Sequence, residues 1–313
     1  QGEFNTDSSN NYALTVTGGI RCIGGTFTGN ASTVAIGFLE INAGGTFNAP
    51  NASGSLTINN KDTTTDNRAF DNDATFNHNS GTVTITTASS TGLDLTGTGG
   101  TGINNLVINH ASCTGNFEGA ISLAGDLTIT AGTFKANTPA SDTLTVAGDV
   151  IVTGTLGNAN LAHDENYSFG SLTINSGGTY NATSGTTTIT SEPSSGFNLS
   201  NSGTFTHNKG TVKVTCATQT TLTGFSGSNA FFNFTYAGTG SGQDQICGAS
   251  TDFFGQVVID SANSELQMQQ HTFNLYDGIR IKQGGWDIGS SSTSGTINVY
   301  GAVRNVGGTI VAS

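Results

Sequence analysis

Apolar and polar residues alternate along most of this chain, in runs of three to nine that are broken by glycine. The segments "LTVTGGIRCIGGTF" (14–27), "ISLAGDLTITAGTF" (121–134) and "INVYGAVRNVGGTI" (297–310) follow one template. Apolar residues hold the first, third and seventh places, Gly holds the fifth and twelfth, and a bulky apolar residue closes the unit. "LTVAGDVIVTGTL" (144–156) and "FNLYDGIRIKQGGW" (273–286) fit with one slip. A period of two is the signature of a strand with one buried face. Gly between such runs marks positions where φ is positive or where backbones crowd together. The template therefore predicts strand, bend, strand, glycine turn and an inward-facing residue.

A longer period lies above the short one. "ATFNHNSGTVTIT" (74–86) matches "GTFTHNKGTVKVT" (203–215) at an offset of 129 residues. "TLTVAGDVIV" (143–152) matches "TFNLYDGIRI" (272–281) at the same offset, and "INAGGTFNA" (41–49) matches "INSGGTYNA" (174–182) at 133. The chain thus reads as residues 1–11, a cap or extension; 12–141 and 142–271, two long repeats; and 272–313, a partial third. About forty residues of a β-sandwich could not bury a core. In a solenoid each coil needs only its neighbours, so a partial copy is stable. The spacing agrees: Phe27 to Phe47 is 20 residues and Tyr180 to Phe205 is 25. These are coil lengths, and 313 residues give roughly a dozen coils. The expected fold is all-β, a single elongated parallel β-solenoid, right-handed by the crossover rule. In it each "GGTF" is a corner, and Phe27, Phe47, Phe134, Tyr180, Phe205 and Ile310 drop into the core as a column. Asn48, Asn77 and Asn181 beside these corners suit turns or a stacked amide ladder.

Composition supports the class. Charged residues are 10% of the chain, against roughly 25% in an ordinary domain. Thr, Ser and Asn take their place, leaving little that would start a long helix. The 18 Phe and many β-branched residues also exclude disorder. A formal net charge of −12, with nine scattered Lys and Arg, excludes a nucleic-acid-binding face. No run approaches the length of a membrane span, and Gln1 in place of Met suggests a processed chain. Cys22, Cys113, Cys216 and Cys247 lie far apart without a C-x-x-C pair, which argues against zinc. They read as buried thiols, with one or two disulfides as the alternative.

The Gly-Gly-Thr-Phe corners between Thr-rich strands resemble the β-solenoid repeats of secreted bacterial adhesins and autotransporter passengers, and the shafts of phage tail fibres and other virion-surface proteins. The resemblance runs from about Tyr12 to Ile310. It implies attachment, display and spacing outside the cell, on a cell surface or virion, with surface glycans or further copies of the chain as partners. Self-association would run through the solenoid ends.

Parallel β-helices also carry polysaccharide lyases and glycoside hydrolases, so acids converging on one face would indicate an enzyme. His78 and His207 recur with their surroundings, which indicates a turn rather than catalysis. "HDENY" (163–167) is two residues longer than its counterpart, so His163, Asp164 and Glu165 read as a loop insertion that is either a binding site or a solvated turn. "DND" (71–73) places Asp71 and Asp73 on alternate positions, where they could hold calcium; no other cofactor is indicated. "QMQQH" (267–271) offers Gln267, Gln269 and Gln270 as a binding surface or a solvated strand face. The expectation is no catalytic residue. Thr-x-Thr strands raise ice binding, but "VKV" (212–214) and "VVI" (257–259) interrupt the array.

Overall fold

A computed structural model of the chain describes residues 2–64, 66–97, 99–137, 142–159, 163–190, 197–242, 244–268, 270–288 and 295–311. The chain folds as a parallel β-solenoid of about 12 turns, with about 23 residues per turn. Among the described residues the sole helical element is a single 3₁₀ turn, Gly227–Asn229. Two compact units divide the chain. The first is Gln1–Ala147 with Thr153–Gly157, and the second is Gly148–Val152 with Asn158–Ser313.

The first unit shows why the short template makes coils. Three strands form one circuit: Leu14–Val16, Ile20–Ile23 and Thr26–Thr28. The next circuit repeats them as Thr33–Ile36, Leu39–Asn42 and Thr46–Asn48. Each strand pairs in parallel with its counterpart one coil away, so inward positions stack in columns. Val16, Ile36, Ile58, Ile85, Ile108 and Ile129 make one such column. Phe4, Phe27, Phe47 and Phe76 make another. Their rings stack at 5.7, 4.5 and 5.7 Å and lie within 11° of parallel. Outside that column the amides of Asn77, Asn48 and the hydroxyl of Thr28 form a ladder, with Nδ2 of Asn77 donating to Asn48 Oδ1 at 2.8 Å.

The glycine pair in "GGTF" does two separate jobs. Gly44 has φ +86°, the left-handed region that favours glycine. Gly45 faces the preceding coil, and a Cβ there would lie 2.1 Å from the Cys22 carbonyl oxygen. The first glycine turns the chain and the second lets two coils approach. Gly177 (φ +84°) and Gly178 repeat this in the second unit, where the obstructing atom is the Val152 carbonyl oxygen at 2.2 Å. The aromatic that follows is the centre of a short strand, not the corner itself: Phe27, Phe47, Tyr180 and Phe205 all occupy strand centres and are buried.

The second unit stacks the same way. Tyr167, Thr187, Val212, Phe234, Val257 and Ile279 share a column, as do Phe169, Ile189, Val214, Tyr236, Ile259 and Ile281. Two corner residues depart from the expected aromatic column. Phe134 lies within the long strand Leu127–Ala136, where its register partners are Gly115 and Leu156, although its ring still contacts Phe117 at 4.9 Å. Ile310 pairs with Trp286 on one side and with no described strand on the other, so it is 44% exposed instead of buried.

All four cysteines are free and buried, which corrects the disulfide alternative. Burial pushes the thiols of Cys22 and Cys113 up to about 11, so they behave as small apolar side chains. The recurrent histidines close matching turns. Nδ1 of His78 accepts from Ser80 N–H at 2.8 Å, and that of His207 from Lys209 N–H at 2.9 Å. In each turn two left-handed residues follow, Asn79 and Ser80 or Asn208 and Lys209. The Asn side chain then donates to a carbonyl of the neighbouring coil, Ala49 or Ala182.

Candidate functional site

The strands Arg68–Asn72 and Ser90–Asp94 place Asp71 and Asp94 in register, one coil apart. Asp73 follows at the end of the first strand. The ligand oxygens of Asp71, Asp73 and Asp94 lie within 4.8 Å of one another. Arg68 reaches across this group. Its guanidinium contacts Asp71 at 2.9 Å, Asp66 at 3.3 Å and Glu118 at 2.6 Å. Burial pushes the Asp71 carboxyl up to about 6; Arg68 opposes this, and Asp66, Asp73 and Asp94 add to it. Glu40 stands one coil before Asp71 in the same column and is held, with Asp62, by Arg21. Like charges directly opposite on neighbouring strands repel, and the two arginines offset that repulsion.

An all-carboxylate set suits a hard cation, which takes six to eight oxygens. Here the guanidinium already occupies the position of positive charge against Asp71, so a cation would have to displace it. Asp71 and Asp73 are therefore brought together as the alternate spacing suggested. Asp94 and Glu118 join them through coil register, and Asp66 through its nearness to Arg68 along the chain. Asp94 could have been found by adding one coil length, 23 residues, to Asp71.

His163, Asp164 and Glu165 are not a solvated insertion. Residues 163–167 lie beside the next coil and alternate between interior and exterior. The backbone of this segment is paired: Ser184 N–H donates to the His163 carbonyl at 2.7 Å, and the Thr183 hydroxyl to that of Glu165 at 2.6 Å. His163 and Glu165 point inward and are 4% and 6% exposed, while Asp164 faces out. Nδ1 of His163 lies 3.7 Å from Glu165 Oε1, beyond hydrogen-bond range, and its Nε2 lies 3.1 Å from Asn158 Nδ2. An interior pair of this kind orders the coil and does not present groups to a ligand in solvent.

Gln267 is half-buried at the end of the strand Val257–Gln267 and donates to Asp244 Oδ2 at 2.6 Å. Gln270 is exposed in a left-handed turn conformation, φ +65°. Gln269 lies outside the described residues. Met268 between them is interior and accepts from the indole of Trp286. Of the described residues of the run, Met268 alone is interior, and Gln267 and Gln270 face outward.

A feature that sequence reasoning missed lies on the exterior of the second unit. His207, Phe232, Phe254, Tyr276 and Tyr300 succeed one another coil by coil. Successive centroids are 5.3 Å apart for His207–Phe232, 5.4 Å for Phe254–Tyr276 and 5.1 Å for Tyr276–Tyr300, the last pair only 10° from parallel. Phe254, Tyr276 and Tyr300 are 40, 45 and 65% exposed. Beside them Asp252, Asn274 and Asn298 form an outward ladder, with amides donating at 2.6 and 2.8 Å. Four residues further along each coil, Arg280 and Arg304 stand directly opposite each other and exposed. The signal was present as "YDGIR" (276–280) and "YGAVR" (300–304), which share Tyr and Arg at the same spacing.

An apolar groove of about 550 Å³ lies at the first coil, lined by Phe4, Leu14, Val16, Ile20, Cys22 and Phe27. It contains the inward faces of that coil, with Glu3 and Arg21 also in its lining. Comparison of the chain with protein-family models, with curated proteins and with solved structures returned no match.

Proposed function

We propose that the chain is a structural and adhesive β-solenoid that acts outside the cell, as part of a cell surface, a virion or an extracellular filament. The observation that carries this reading is the fate of the polar side chains. His163 and Glu165 are interior, Gln267 is bound to Asp244, His78 and His207 close turns, and Asp71 is ion-paired to Arg68. Side chains that could do chemistry are spent on holding coils together, while the exterior offers periodic Thr, Asn and aromatic rows. No helix among the described residues is long and apolar enough to cross a membrane.

A second reading, a carbohydrate-active enzyme, is favoured by one observation. Arg68, Asp71, Asp73 and Asp94 do converge on one face, the feature such an enzyme needs. Against it, the Arg68 guanidinium ion-pairs Asp71, and neither described cavity is lined by these carboxylates. The experiment is to incubate the chain with a panel of insoluble and soluble polysaccharides and with intact cells. Retention on a surface without released reducing sugar is the expected result. Released sugar that disappears in Asp71→Asn would establish the enzyme instead.

A further inference from the structure

The chain carries four arginines. Arg21 and Arg68 are each held between carboxylates. Arg280 and Arg304 are different: they are paired in register on adjacent strands and contact no carboxylate among the described residues. Two guanidinium groups directly opposite on neighbouring strands repel each other. With 21 Asp and Glu in the chain, counter-charges are plentiful, so their absence here leaves a local positive site on a protein of net charge −12. The adjoining residues sharpen it. Asp260 is engaged by Lys282 at 3.0 Å, and Val258 is the register neighbour of Arg280.

The exposed aromatic row lies four residues away along the same two coils. Each coil therefore presents one tyrosine ring, one outward amide (Asn274 or Asn298) and one guanidinium, repeated at about 4.8 Å, the spacing of neighbouring strands. A surface that repeats along one direction fits a ligand that repeats at a similar step. Pyranose rings are of that length, present C–H faces to aromatic side chains, and offer hydroxyls to amides. Guanidinium is the side chain that matches a carboxylate or sulfate in two-point geometry.

We propose that Phe254, Tyr276 and Tyr300, with Arg280 and Arg304, bind an acidic polysaccharide running along the corner of the second unit between the strands Thr272–Leu275 and Gly278–Asp287. The proposal rests on the adhesive reading and names its ligand class. A nucleic acid shares the aromatic and cationic requirement, but two arginines on a strongly acidic protein do not offset a phosphate on every nucleotide.

The test is calorimetric titration of the full chain with oligogalacturonate, dextran sulfate, neutral dextran and single-stranded DNA. Binding to the carboxylated or the sulfated polymer is expected, with none to dextran. The double variant Arg280→Ala with Arg304→Ala should weaken it by about tenfold or more, the loss of one charge-assisted contact. Tyr276→Ala with Tyr300→Ala should weaken it comparably, and the double Arg→Lys variant should retain part of it. All these positions are exposed, so circular dichroism should show unchanged folding. The proposal is overturned if neither acidic polymer binds, or if either double variant binds as the parent does. Equal affinity for DNA, or a dimer that the tyrosine variant dissociates, would overturn it too. Undiminished attachment to cells by both double variants would remove this site and leave the adhesive reading standing. Absence of any attachment by the parent chain would remove both.

Discussion

The two units share a coil plan and fill it differently. In the first, the interior is a set of continuous apolar columns, the stacked Phe4, Phe27, Phe47 and Phe76 among them. Its buried polar side chains serve turns, as in the Thr6–Ser32 contact, or an ion pair, as in Asp62 with Arg21. In the second, polar groups sit in the core itself. Asn198, Thr220 and Gln245 form a fully buried network in which the Gln245 amide oxygen accepts from both partners. The hydroxyls of Tyr236, Ser264 and Ser261 form another, and Tyr180 with Thr187 a third. The second unit also carries an aromatic row on its outside.

The difference teaches how register is set in a stacked fold. Identical apolar columns resist a one-residue slip, which turns the core face outward, but they discriminate weakly against moving by a whole coil. A buried hydrogen-bond network is satisfied in only one alignment, and an unsatisfied member is costly. The first unit supplements its columns with exterior charge pairs, and the second with interior networks.

The largest expected effect removes a ring from each unit. Phe47→Ala should cost about 3–5 kcal/mol, because the rings of Phe27 and Phe76 hold their positions on either side. Phe205→Ala should fall at the lower end of that range. Its neighbours Phe225 and Phe231 meet it edge-on and can move into the space. Urea unfolding monitored by circular dichroism measures both, and a larger loss for Phe205→Ala would break the contrast.

Next comes the polar network. Gln245→Leu leaves Asn198 and Thr220 without their shared acceptor and should cost about 1–3 kcal/mol. Adding Asn198→Leu should recover part of that loss, because it removes one of the two unmet donors and leaves only that of Thr220. If the double variant is simply the sum of the singles, the network is not a cooperative unit.

The glycine that admits the neighbouring coil should matter equally in both units. Gly45→Ala and Gly178→Ala each drive a Cβ against a carbonyl oxygen, and each should cost about 1–3 kcal/mol by the same urea unfolding. A difference well outside error would mean that coil spacing is set differently in the two units.

The fold was legible because a solenoid is a local repeat: a template of strands and glycines suffices to specify a coil. The column of Phe27 and Phe47 and the turn role of His78 and His207 follow from that repeat. What the linear reading lacked was coil register. Asp94 belongs with Asp71 only once one coil length is known. His163 and Glu165 look like loop residues until burial against the next coil assigns their inward direction. The outer aromatic row was hidden for the same reason. In "FFNF" and "FFGQ" one Phe is interior and the next exterior, and hydrophobicity alone does not separate them.

The smallest expected effect compares the one device that both units share. His78 and His207 each accept a backbone N–H at Nδ1, which requires the neutral ring. Burial holds both below the ordinary histidine value, and for His207 the charge of Lys209 adds to it. The unfolded chain therefore binds protons at a higher pH than the folded one. By linkage, the stability these turns contribute is complete above about pH 6.5, the unfolded value, and is lost as pH falls below it toward the lower folded values. Asn keeps an acceptor at the same place in the turn and cannot titrate in this range. His78→Asn and His207→Asn should each flatten the decline in stability between pH 7 and pH 5 and leave stability at pH 8 nearly unchanged. The two should differ in salt. Lys209 is exposed, and its effect on His207 is screened at high ionic strength. Raising salt should then shrink the difference between His207→Asn and the parent and leave that of His78→Asn in place. Unfolding measured across this pH range at low and high salt decides it, and a salt-independent His207 would show that burial alone sets its proton affinity.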